Sequence, residues 1–160
     1  MVDEPKTEPA VEAFAEIVQR YCSWAESPSG GPHHEMLRAR NLLAELHVAV
    51  LNLPDLGLGE DTEDLLSSDE WKSVYGRFQN LPVNGYWDVF DPLKEEAPVF
   101  NALPDDLTDI YRDLKEGLLL YNRGQIIEAV WEWRFNFEIH WGAHLTGAQR
   151  AIHSYFSNEA

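Results

Sequence analysis

The chain has 160 residues, which suits one domain whose core needs neither a disulfide nor a metal ion to fold. It has 12 Lys and Arg against 28 Asp and Glu, and the formal net charge of −16 argues against nucleic acid and anionic membranes as partners. Cys22 is the single cysteine, so no internal disulfide can form, and its apolar surroundings in sequence predict a small buried hydrophobe.

The start of the chain resembles neither a secretory signal nor a membrane anchor. Residues 1–9 are acidic and contain proline, whereas a signal peptide would be basic and then apolar. No apolar run reaches the roughly 18 residues that a membrane span needs. We therefore expect a cytoplasmic protein with a disordered lead-in over residues 1–8 and a single helical domain over residues 9–158.

Two helices are predicted in the first third of the chain. Apolar residues recur at helical spacing over residues 11–25, and the Ser, Pro and Gly residues at 27–32 end that helix. A second helix is predicted over residues 33–53. Its apolar positions cover more than one face, which predicts a central place in the fold, and Pro54 ends it.

An acidic loop follows the second helix. Seven Asp or Glu residues lie between positions 55 and 70, and no Lys or Arg occurs between Arg40 and Lys72. This charge pattern is typical of a solvated loop that aids solubility. The alternative is a docking surface for a basic partner.

Two further helices flank the least regular part of the chain. Residues 68–70 resemble a capped start to a short third helix over about 70–80. Pro104 and the acids after it predict the start of a fourth helix, which residues 122–124 close. Between these helices, residues 82–103 contain an Asn-Gly turn signal and one extended stretch at 86–90.

The segment over residues 131–141 alternates apolar and polar residues without a break and holds three of the six tryptophans. Strict alternation of this length is a strand signal. A helix is nevertheless favoured, because the chain offers few partner strands and because the flanking residues suit a helix. We therefore predict one long helix over residues 125–158.

One sector of that helix is apolar throughout and should face the core. It contains Val130, Trp133, Phe137, Trp141, Leu145, Ala148, Ile152 and Tyr155. Phe135 and Ile139 fall on the opposite side, so they need cover from residues 82–103 or from another subunit. Together the elements predict an all-α fold, a single-domain bundle of about five helices in which the second and the long C-terminal helix are most buried.

Three motifs resemble an uncharacterised bacterial family that is defined as a domain of unknown function. They are Trp87-Asp88-Val89-Phe90-Asp91-Pro92, then Asp109-Ile110-Tyr111-Arg112-Asp113-Leu114-Lys115, and Trp131-Glu132-Trp133-Arg134-Phe135 with His140-Trp141-Gly142-x-His144. The likeness spans most of the chain from the first helix onward. It implies a predominantly helical cytoplasmic domain, and it brings no activity, cofactor or catalytic residue.

A histidine pair provides the first candidate site. His140 and His144 are four residues apart, so a helix places both imidazoles on one face, where they could share a divalent transition metal. His47 on the second helix is the natural third ligand, and such a site would suit a metal-dependent hydrolase or transferase. The alternative is that both histidines flank the aromatic face and bond to acids or carbonyls.

Arg134 provides the second candidate site, since it falls within the apolar sector and a buried guanidinium needs an acidic partner. Glu138, Asp109 and Asp113 are the candidate partners, because a short link makes the fourth and fifth helices antiparallel neighbours. The arrangement predicts either a structural ion pair or a small-anion sensor walled by aromatic residues. The residues assigned to that ligand site are Arg134, Glu138, Asp113, Trp87, Trp133 and Trp141.

A dense aromatic set carries the leading functional prediction. Its seven members are Trp87, Phe90, Trp131, Trp133, Phe135, Phe137 and Trp141. We expect most of them in the core, although such residues also favour interfaces. The leading prediction is therefore a non-enzymatic protein-interaction module without a cofactor, with a protein partner of basic charge or a second copy of the chain. It requires an exposed apolar patch near Phe135, Ile139 and Trp87.

Overall fold

A computed structural model describes residues 8–159, and within that range the fold consists of five helices and one small two-stranded ribbon. The first four helices are α1 (Pro9–Glu26), α2 (Pro32–Leu51), α3 (Ser68–Phe78) and α4 (Leu103–Asn122). The fifth is continuous and has three parts, α5 (Ile126–Asn136), a π-helical turn (Phe137–Trp141) and α6 (Gly142–Glu159). The predicted all-α fold with a long C-terminal helix is confirmed. Of the predicted lead-in, residues 1–7 lie outside the described range.

Local sequence explains where the helices begin and end. Proline occupies the first turn of α1, α2 and α4, where its missing N–H costs no helical hydrogen bond. The N-cap of α3 is Ser67, one residue before the predicted start, and it forms a reciprocal capping box with Glu70. After α4, Gly124 has a φ of 81°, which permits the sharp reversal into α5.

The predicted extended stretch forms one half of the ribbon. Strand β1 (Gly85–Asp88) pairs antiparallel with β2 (Val99–Ala102), with Gly85 opposite Ala102 and Asp88 opposite Val99. The Phe100 ring crosses directly over Gly85, where a Cβ atom would lie 2.1 Å from it. The second strand was not predicted, because four residues are too few to show a clear alternation.

The alternating segment over residues 131–141 is helical, as predicted, and includes the π turn. In that turn the backbone N–H of Gly142 bonds to the carbonyl of Phe137, five residues back. The expected cover over the two outward-facing apolar residues is absent within residues 8–159, since Phe135 is 44% exposed and Ile139 is 63% exposed.

The core forms around α4, which packs against α1, α3, α5 and α6. The prediction that α2 is central was wrong, because α2 packs against α1 and α6 at one side of the bundle. Among the largest fully buried side chains are Trp133, Trp141, Tyr21, Tyr111 and Phe14. Cys22 is buried with them, and burial raises the pKa of its thiol, which suits the predicted inert role. Over residues 8–159, no helix combines the length and apolarity that a membrane crossing requires.

Candidate metal centre

Helix α4 and the C-terminal helix bring acids and histidines together along their contact. The acids are Asp106, Asp109 and Asp113, whose spacing of three and then four residues keeps them on one face of α4. Facing them are His140 at the end of the π turn and His144 in the first turn of α6. The short link at residues 123–125 makes the two helices antiparallel, as predicted.

Each histidine is held by its own carboxylate. His140 Nδ1 lies 2.6 Å from Asp113 Oδ2, and His144 Nδ1 lies 2.7 Å from Asp106 Oδ1. This leaves Nε2 of each imidazole available. His144 Nε2 is 3.4 Å from Asp109 Oδ2, and the two ring centroids are 4.8 Å apart.

Three side chains therefore converge on one point. One ligand atom from each of Asp109, His140 and His144 lies within 4.8 Å of the others. Metal bonds near 2 Å allow ligand atoms to lie up to about 4 Å apart, so small side-chain movements would suffice to enclose an ion. We call these three residues the metal cluster.

The supporting carboxylates are more buried than the cluster they hold. The Asp106 side chain is 6% exposed and that of Asp113 is 17% exposed, whereas Asp109, His144 and His140 are 25%, 28% and 41% exposed. Tyr86, on β1, donates a 2.6 Å hydrogen bond to the second oxygen of Asp106. Asp106 is thus fixed from two sides, and the cluster faces solvent on its remaining side.

The electrostatics of the site favour a cation. Burial raises the pKa of Asp106 and of Asp113, and the hydrogen bond from each histidine opposes that rise. The hydrogen bond to Asp106 raises the pKa of His144, which lies between two carboxylates. Three acids around two imidazoles therefore give the site an excess of negative charge, which favours either a proton on His144 or a metal ion in the cluster.

The structure brings together two of the three histidines that the sequence suggested as ligands. His47 lies elsewhere, with its ring 6.1 Å from that of Phe137, and Asp109 takes the third position. The sequence suggests Asp109 only as a partner for Arg134. The spacing of the three aspartates on α4 was the available signal, since it marks an acidic stripe facing the histidine helix.

Arg134 has a different partner from those predicted. Its Nη1 lies 3.1 Å from Asp55 Oδ1 in the acidic loop, because Arg134 is 38% exposed and faces that loop. The predicted partner Asp113 holds His140 instead. Arg134 and Glu138 do line a concave cleft of about 310 Å³, together with Asp55 and the stacked rings of Trp131 and Phe135.

The tryptophans assigned to the ligand site lie apart from that cleft. Trp133 and Trp141 are fully buried, and their indole N–H groups donate to the carbonyls of Leu114 and Trp133. Neither can line an open site. Trp87 is 71% exposed on β1, with its ring 5.4 Å from that of Phe100.

Comparison with known proteins identifies the fold and the family. The structure is similar to the crystal structure of protein BF1032 from Bacteroides fragilis, with a TM-score of 0.80, 18% sequence identity and 92% of each chain covered. At that identity the likeness establishes the fold alone. No curated protein matches the sequence. Residues 5–158 match the family described as Domain of unknown function (DUF5063), and the chain belongs to that family.

Proposed function

We propose that this protein binds a divalent transition metal through Asp109, His140 and His144 and uses it to hydrolyse a small molecule. The observation that carries the proposal is the pairing of each histidine Nδ1 with its own buried carboxylate. In metalloproteins such a carboxylate fixes the tautomer and orientation of the imidazole and makes its other nitrogen a better ligand.

The ligand set favours a catalytic ion over a structural one. Structural zinc sites are closed by four protein ligands, whereas catalytic sites use three and keep one position for water or substrate. Two histidines and one carboxylate also suit iron, so the set defines a class of metals. Partial exposure of all three ligands supports access from solvent.

Hydrolysis is one reaction class that such a site supports without any redox partner, and it needs only water as the second reactant. Water adds its hydroxyl to the electrophilic carbon or phosphorus of the substrate, and its remaining proton goes to the leaving group. The bond to the leaving group breaks, and no electron is gained or lost. This replaces the interaction module as the leading function, because the histidine geometry is more specific than an exposed apolar surface.

Metal uptake tests the proposal directly. The purified chain, stripped with a chelator, should bind one Zn²⁺ per chain in a calorimetric titration, with the stoichiometry checked by elemental analysis. The variants Asp109→Asn and His144→Ala should weaken binding at least tenfold. His153→Ala, a change at an exposed histidine of the same helix, should bind like the wild type. Failure of the wild type to bind zinc, or equal binding by all variants, would refute the proposal.

A second candidate function is a protein interaction through the ribbon, which the exposed aromatic residues favour. Trp87, Phe90 and Phe100 are 71%, 89% and 61% exposed. Residues 85–102 carry four acids and one lysine, which suits a basic partner and disfavours a second copy of so acidic a chain.

A photo-crosslinking residue at position 87 should capture a basic protein in cells. The control is position 58, where Leu58 is 76% exposed on the acidic loop. Equal capture at both positions, or capture of a second copy, would contradict this candidate.

A further inference from the structure

A second concave site adjoins the metal cluster. It is a cleft of about 330 Å³ between α3 and α4, lined by Trp71, Tyr75, Asp105, Thr108, Asp109 and Arg112. Asp109 belongs both to this cleft and to the metal cluster. A molecule bound in the cleft would therefore lie next to the ion that the cluster is proposed to hold.

Arg112 is held in place while its donors stay available. Its guanidinium lies 4.8 Å from the centre of the Trp71 ring, a cation–π contact that restrains its position. Within residues 8–159 its nearest carboxylate oxygen, on Asp109, is 3.7 Å away, which is beyond hydrogen-bond distance. Its side chain is 47% exposed. A planar guanidinium with free donors is suited to bind an oxyanion through two parallel hydrogen bonds.

The other wall of the cleft is aromatic. Trp71 and Tyr75 are four residues apart on α3, so both face the same side of that helix. Tyr75 is 39% exposed and lines the open cleft. Aromatic side chains in an open cleft bind planar apolar groups well.

The acids of the cleft limit the charge that it accepts. Asp109 lies 3.7 Å from Arg112 and Asp105 lines the same cleft, so a dianion would meet more repulsion here than a single carboxylate would. The residues that line the cleft thus combine one cation, Arg112, with an aromatic wall and two carboxylates, and Lys72 Nζ lies 5.8 Å from the centre of the Trp71 ring.

We propose that this cleft is the substrate site of the metal centre and that it accepts small monocarboxylates bearing an aromatic or other planar apolar group. Arg112 binds the carboxylate, Trp71 and Tyr75 contact the ring, and the bond to be hydrolysed lies towards Asp109. This inference rests on the proposed metal-dependent function.

Benzoate is a suitable probe, because it carries the carboxylate and the ring and cannot be hydrolysed. Titrated into the zinc-loaded protein, it should shift the NMR signals of the Trp71 indole N–H and the Arg112 Nε–H in a saturable way. Arg112→Gln should weaken binding at least tenfold while zinc is still bound. Arg123→Gln, at an exposed arginine at the end of the same helix, should leave binding unchanged.

The outcomes separate this inference from the proposed function. If the chain takes up no zinc, both fail. If zinc binds and benzoate leaves the Trp71 signal unmoved, only the substrate site fails. Equal benzoate binding by the wild type and Arg112→Gln would mean that the probe binds the ion alone, which overturns the role of Arg112. Tighter binding of phenyl phosphate than of benzoate would overturn the assignment to monocarboxylates.

Discussion

Glu35 lies in the first turn of α2 and is 5% exposed. Apart from the metal cluster and the two aspartates that hold its histidines, it is the most buried carboxylate among the described residues. It accepts hydrogen bonds from the Trp24 indole at 3.1 Å and from the Gly30 backbone N–H at 3.1 Å. Arg77 of α3 lies 2.7 Å away, and its guanidinium is 5.1 Å from the centre of the Trp24 ring. These contacts tie the end of α1, the start of α2 and α3 together.

Replacing Glu35 should be costly, because the change leaves the buried Arg77 charge without its partner. We expect Glu35→Ala to lower the free energy of unfolding by about 3–5 kcal/mol, as for other broken buried pairs. Urea denaturation measures this loss.

The exposed pair between Arg20 and Glu45 provides the matched control. It has two 3.0 Å hydrogen bonds, but its side chains are 43% and 46% exposed. Glu45→Ala should therefore cost about 1 kcal/mol or less. Losses of similar size at the two positions would show that burial does not govern the strength of these pairs.

At this scale, sequence reasoning finds residues that are near one another along a single helix. The spacing of His140 and His144 was enough to pair them. Asp109 and Arg77 acquire their roles from contacts between helices, and no local pattern encodes how two helices align. Arg134 was assigned the wrong acid for the same reason, since Asp55 is distant in sequence and belongs to an irregular loop.

Among the elements, the π turn has the clearest link to the candidate site. It adds one residue to the helical repeat between α5 and α6, and His140 lies within it. Such turns occur often at functional sites, because the extra residue changes the direction of the side chains around it. Here it sets the position of His140 relative to His144 and to the acids of α4.

Gly142 should be essential to this turn. A Cβ atom at this position would lie 2.3 Å from the Phe137 carbonyl oxygen and 3.1 Å from the Phe137 ring. We expect Gly142→Ala to lower the free energy of unfolding by about 1–3 kcal/mol through overcrowding. It should also weaken zinc binding, because the two histidines flank position 142 and the added Cβ would displace the backbone there. Thermal unfolding and zinc titration of the same sample measure the two effects.

Gly76 in α3 is the control, because nothing lies within 4 Å of a Cβ atom placed there. Gly76→Ala should raise stability by about 0.5–1 kcal/mol, since alanine favours helix more than glycine does. A Gly142→Ala variant with unchanged stability and zinc affinity would show that the π turn does not position the histidine ligands.

The elements were predictable to the extent that their signals are local. The proline start of α4, the capped start of α3 and the apolar sector of the last helix all identified real helices. The second strand of the ribbon and the π turn were not predicted, because neither leaves a periodic signal in the sequence. The Phe100 ring over Gly85 and the Phe137 carbonyl beside Gly142 are contacts that only the folded chain creates.

At the scale of the whole molecule, a metal ion bound by the cluster would add positive charge to a chain with a net charge of −16. Mutual repulsion of the acids opposes the compact state, so any dissolved cation stabilises the fold somewhat by screening. A bound ion should do more, because it also joins α4 to the C-terminal helix, and these two elements form much of the core. The effect of a bound ion must therefore be distinguished from that of screening.

Zinc should stabilise the folded chain specifically. At a free concentration of 100 times its Kd, an ion that binds only the native state adds about 2.7 kcal/mol to the free energy of unfolding. For a chain of this size that corresponds to a rise in Tm of roughly 5–10 °C, measurable by differential scanning calorimetry. Magnesium at equal concentration matches the screening but disfavours histidine ligands, so its effect should be much smaller. At the same zinc concentration Asp109→Asn, with zinc binding at least tenfold weaker, should gain no more than about 1.4 kcal/mol, about half of the wild-type gain. If magnesium and zinc raised the Tm of the wild type equally, general charge screening would explain the stabilisation and a specific ion would not.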